Sequence, residues 1–124
     1  MEGYKVSIIE SSHELSAREK LRIKDTSNAI SLDTATQNNR VVITPVAYAV
    51  LGIHNEKSDD KDYENYIIID ENGDKYVTGS RSFWASFKDI WSDMCGEDEA
   101  FQVEIYRLES KNYKGKSFIT CSII

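Results

Sequence analysis

The chain has 124 residues and a mass of 14.2 kDa, which suits one domain with one core, and its 40% hydrophobic and 29% charged residues are the balance of a globular protein. A net charge of −6 argues against a protein that coats duplex DNA by bulk attraction. No stretch approaches the roughly 18 consecutive apolar residues of a membrane span, and the polar start Met1-Glu2-Gly3-Tyr4-Lys5 is not a secretory leader, so a cytoplasmic protein with no membrane contact is expected.

Residues 4–9, Tyr-Lys-Val-Ser-Ile-Ile, predict a short strand. Over 12–25, Leu15, Leu21 and Ile23 stand among mixed charges and Ser16-Ala17-Arg18-Glu19 matches a capping box, which predicts a short surface helix. Residues 25–40 are rich in Thr, Ser, Asn and Asp, whose side chains compete with the backbone for hydrogen bonds; loop or irregular chain is expected, with a strand over 29–32. The longest apolar segment, 41–53, reads as one long, bent strand whose early part Pro45 confines to an edge or bulge.

A charged loop over 54–62 precedes strands over 63–70 and 75–79, joined by Glu71-Asn72-Gly73-Asp74. Asn-Gly is a strong hairpin signal because both residues tolerate positive φ. Ser80 or Ser82 can cap the next helix, whose apolar positions Phe83, Trp84, Phe87, Ile90, Trp91 and Met94 recur at spacings of three and four and predict core packing. Gly96 ends that helix, and strands over 101–108 and 117–124 follow. No internal repeat, low-complexity tract or second domain is found.

Three strands, one helix and two more strands predict a mainly β fold, a five-stranded OB-fold (oligonucleotide-binding) barrel with its helix between strands three and four. The barrel would occupy 41–124 and residues 1–40 would form an N-terminal extension containing a short helix, all in one domain. In such a barrel ligands lie across the middle strands and under the loops joining strands one to two and four to five. The second of these loops is Lys111-Asn112-Tyr113-Lys114-Gly115-Lys116.

Sequence-tolerant binding of single strands needs flat rings for bases and cations for phosphates. Acidic residues concentrate in 56–64 and 93–99, whereas Arg107, Lys111, Lys114 and Lys116 fall within ten residues of one another. A basic loop on an acidic body can still hold a backbone, with marked salt sensitivity. Alternation predicts that Tyr76 and Tyr106 point away from the barrel interior, and Tyr113 stands between lysines in a hairpin loop. Tyr48 and Tyr66 lie on strands apolar on both faces, which favours packing over stacking. Lys75 and Arg81 complete the candidate nucleic-acid contacts.

Cys95 and Cys121 are not spaced as a metal pair, and His13 and His54 stand far apart, so neither structural zinc nor a cofactor is expected. The cysteines read as buried or free thiols, with a disulfide left open. Asp59-Asp60 and Glu97-Asp98-Glu99 lie in predicted loops without a histidine or a phosphate-cradling glycine run, so no catalytic constellation is recognised.

The run Tyr76-Val77-Thr78-Gly79-Ser80-Arg81-Ser82-Phe83-Trp84, with Phe87-Lys88-Asp89-Ile90 behind it and Ser110-Lys111-Asn112-Tyr113-Lys114-Gly115-Lys116-Ser117-Phe118-Ile119-Thr120-Cys121 near the end, resembles small single-stranded DNA-binding proteins of phages and mobile elements of Gram-positive bacteria. The resemblance covers roughly residues 26–124 and rests on overall pattern. It implies non-enzymatic, largely sequence-independent binding of single-stranded DNA in replication, recombination or transfer, with replication or recombination proteins as further partners. Thr120-Cys121-Ser122-Ile123-Ile124 reads as strand rather than as a flexible acidic tail, so recruitment through a tail is not expected. Edge strands of such barrels pair between protomers, which leaves a homodimer open. The competing reading is an acidic interaction adaptor or inhibitor on the same barrel, acting as a nucleic-acid mimic.

Overall fold

The computed structural model describes residues 4–57, 61–94, 100–109 and 117–124. They form β1 (Tyr4–Ser11), α1 (Ala17–Lys24), β2 (Ile30–Ser31), α2 (Leu32–Ala35), β3 (Val41–Ile43), β4 (Pro45–Asn55), β5 (Asp62–Asp70), β6 (Lys75–Thr78), α3 (Arg81–Met94), β7 (Val103–Glu109) and β8 (Ser117–Ile123). One sheet has the order β1-β4-β5-β6-β2 and a second the order β3-β7-β8. Among the described residues only the β2–β6 pairing is parallel. No described helix is long and apolar enough to cross a membrane.

Local chemistry accounts for the element ends. The Ser16 hydroxyl accepts from the Glu19 N–H at 3.2 Å while Glu19 accepts from the Ser16 N–H at 3.1 Å, completing the capping box of α1. Ser80, rather than Ser82, caps α3 by accepting from the Phe83 N–H at 3.3 Å. Between β5 and β6 the Gly73 N–H donates to the Asp70 carbonyl at 2.9 Å and the Asp70 N–H donates to that of Asp74 at 2.9 Å. Among the described residues only Gly73 takes a positive φ, 87°, so the turn is a three-residue loop and not one in which Asn72 is also left-handed.

Two segments depart from expectation. The single strand over 41–53 is two strands, because the chain changes sheets at Thr44. Pro45 has no N–H to continue a ladder, and the Thr44 N–H instead donates to the buried Asp70 carboxylate at 3.0 Å. The strand over 29–32 contracts to Ile30 and Ser31, paired with Tyr76 and Val77, after which Ser31 caps α2.

The centre of the five-strand sheet is buried on both faces. On one side Tyr48 and Ile68 join Phe83 and Phe87 of α3 and Val103, Ile105, Ile119 and Cys121 of the second sheet. On the other, Leu15 and Ile23 pack with Ala49, Leu51, Ile53 and Ile67. Burying a side chain such as Phe83 or Phe87, both 0% exposed, stabilises by about 1.5–3 kcal/mol.

The expected closed barrel is not formed by backbone pairing, since β6 offers its outer edge to β2 and among the described residues β8 pairs only with β7. Side chains span the gap. The Thr78 hydroxyl donates to the Asp33 carboxylate at 3.1 Å, and the Arg107 guanidinium donates to the Asp33 carbonyl at 2.6 Å and to Ser117 at 3.1 Å.

Candidate nucleic-acid interface

Alternation along β7 turns Val103 and Ile105 into the core, which leaves Glu104 and Tyr106 on the outer face; on β8, Ile119 and Cys121 point in and Thr120 and Ser122 point out. The register places Val42 beside Glu104 and Glu104 beside Ser122, then Tyr106 opposite Thr120, then Leu108 opposite Phe118. Val42, Leu108 and Phe118 are 49%, 45% and 39% exposed, so this outer face offers apolar contact to solvent.

Because Val41 pairs with Ile105, the preceding residue, Arg40, comes opposite Tyr106. Its guanidinium lies over the Tyr106 ring, 4.6 Å from the centroid, and forms an ion pair with Glu104. The Tyr106 hydroxyl is 2.7 Å from the Ser122 hydroxyl, which fixes the far end of the ring. Spacing in the sequence gives no sign of Arg40, which closes a polar loop 64 residues before Glu104.

Of the residues expected to contact nucleic acid, Tyr106 is the aromatic one on this face. Lys111, Tyr113, Lys114 and Lys116 lie outside the described residues. Tyr48 and Tyr66 are 7% and 4% exposed. Tyr66 stacks on Trp84 with centroids 4.7 Å apart and planes 9° apart, and Tyr48 packs edge-on against Trp84 and Trp91. Both rings therefore serve packing and present no free face to a base.

Tyr76 reverses its expected orientation. It packs against the core shared by the two sheets, while Val77 faces the core under α1. Alternation is obeyed, but both faces of the sheet are apolar, so periodicity alone does not say which side is inside.

The cations divide similarly. The Lys75 ammonium donates to the carbonyls of Arg22 and Asp25, the latter at 2.7 Å, and so satisfies the C-terminal end of α1. Arg107 holds Asp33 and Ser117, and its buried Nε has no partner among the described residues. Arg81 is exposed at the start of α3, near Glu64 and the Tyr66 hydroxyl, whose pKa burial pushes up. Lys88 pairs with Glu10 and donates to the Tyr48 hydroxyl at 2.8 Å, and that hydroxyl donates to Glu10 at 2.7 Å; the Lys88 and then the Tyr48 bond to Glu10 hold its carboxyl below the usual range.

A second polar cluster stands on the five-strand sheet. His54 faces Asp62 across the β4–β5 ladder, with Nδ1 2.7 Å from Asp62 and Nε2 2.6 Å from Glu56. The Asp62 and then the Glu56 hydrogen bonds raise the imidazole pKa. The ring borders an open groove of about 410 Å³ whose wall also includes Lys5, Ser7, Glu64 and Arg81. Among the described residues no group of three His, Cys, Asp or Glu side chains is placed to hold a metal ion. The Cys121 thiol is buried and pushed up to about 12.

Compared with protein-family models, curated proteins and solved structures, the chain matches none.

Proposed function

We propose that this chain is a non-enzymatic protein that binds single-stranded DNA largely without regard to sequence, in replication, recombination or transfer, on a partly open oligonucleotide-binding barrel. The observation that carries this reading is the outer face of β3, β7 and β8, where Tyr106, Arg40, Val42, Leu108 and Phe118 stand together in solvent contact. Flat and apolar surfaces with a guanidinium among them meet the needs of unpaired bases, whose stacking stabilises by about 1–3 kcal/mol each. Segment 110–116, with three lysines and Tyr113, joins the two strands of that face in sequence. The barrel reading is supported by the order β3/β4, β5, β6, α3, β7, β8 and by the pairing of β3 with β7.

Fluorescence titration with oligo-dT at low salt tests the reading. Binding that weakens as salt rises, with single-stranded RNA and duplex as comparisons, is the expected result. A folded protein that ignores a long oligo-dT would end it.

A second reading, an acidic adaptor for a basic partner, is favoured by the internal contacts of Lys75, Lys88 and Arg107 on a molecule of net charge −6. Affinity for a polylysine peptide combined with none for oligo-dT would select it.

A further inference from the structure

The sequence points to the Tyr106 ring as a stacking surface, yet Arg40 already occupies one side of that ring. What an approaching strand meets there is the guanidinium. We propose that Arg40 is the contact residue of this face and that Glu104 is its built-in competitor, displaced when a phosphate takes over the guanidinium; this rests on the single-strand reading above.

The Arg40 side chain is 66% exposed while that of Glu104 is 28% exposed, so the cation is the accessible partner of the pair. A guanidinium has two uses at once. Its plane accepts a stacked base, and its N–H edge, now turned to a carboxylate, suits a phosphate equally well. Tyr106 supports it from below without needing to reorganise, because its hydroxyl is tethered to Ser122. An exposed ion pair is weakly held, so exchanging one anion for another at Arg40 requires no change in the sheet. Glu104 thereby lowers the affinity for any strand that does not bring a phosphate to this position.

The test is a double-mutant cycle read by anisotropy of a labelled oligo-dT at low salt, using Arg40→Gln, Glu104→Gln and the pair. Arg40→Gln is expected to weaken binding about tenfold, and Glu104→Gln to tighten it about threefold. In the Arg40→Gln background the Glu104 change should do nothing measurable. Arg40→Lys, which keeps the charge and loses the planar fork, should retain the salt dependence of the wild type without its affinity. Melting temperatures measured alongside identify any variant that loses affinity by unfolding, and Arg40→Lys then carries the comparison.

Equal tightening by Glu104→Gln with and without Arg40 would overturn the exchange, since it would show only a general field effect. So would an Arg40→Gln protein that binds as the wild type does. If the wild type and all variants leave oligo-dT unbound, the single-strand reading itself falls and the exchange falls with it.

Discussion

Gly73 is the one described residue with a left-handed backbone, and a β-carbon there would meet nothing within 4 Å. The cost of Gly73→Ala therefore comes from the dihedral alone, about 1 kcal/mol, to be seen in urea unfolding as a lower midpoint at unchanged slope. His54 makes a pH-dependent contribution. Its pKa is raised above the ordinary 6.5 by Asp62 and Glu56, so the folded chain prefers the protonated ring. That stabilisation is complete below 6.5 and is lost as pH climbs through the raised folded value. His54→Gln should accordingly lower the melting temperature in acid and leave it unchanged once the folded imidazole is neutral. The Asn72-Gly73 turn and the Ser16 capping box are legible in sequence because all their chemistry lies within four residues. The partners of Arg40 are not, because the β3–β7 register brings Glu104 and Tyr106 to it from more than 60 residues away.

α1 reads in sequence as a charge-mixed surface helix, and it is one, but Ile23 beneath it is 3% exposed and helps to cover the back of the five-strand sheet. Ile23→Ala is expected to cost about 2–5 kcal/mol in chemical denaturation. The other end of that attachment is Lys75. Replacing it with Met removes the cation that satisfies the last carbonyls of α1, and a loss of about 1 kcal/mol with unchanged affinity for oligo-dT would assign Lys75 to the fold. Lost affinity at full stability would return it to the interface. The cover supplied by α1 also explains the orientation of Tyr76. The strands themselves are legible from β-branched content and alternation, and α3 from its three-and-four spacing. The division at Thr44 depends on the Asp70 carboxylate, 26 residues away, and has no local signature beyond Pro45.

At the scale of the molecule, the order of the longer elements follows from the sequence, while α2, the division of 41–53 into β3 and β4, and the way the sheets close do not. A two-residue strand in a tract of Ser, Thr, Asn and Asp carries no periodicity, so nothing in the chain announces that β2 takes the edge of β6. The seam beside it can be probed at Arg107. Arg107→Met retains most of the aliphatic stem and removes the donors to Asp33 and Ser117, with an expected loss of about 1–3 kcal/mol and faster amide exchange in β7 and β8 than in β4 and β5. Main-chain ladders are indifferent to which side chains adorn them, so a cylinder closed by one resists change at any single codon. Here the clasp is written in the side chains of positions 33, 78 and 107. This join between the two sheets through α2 is thus open to mutation: natural drift or a designer can loosen it at three codons and leave most of the main-chain ladders as they are.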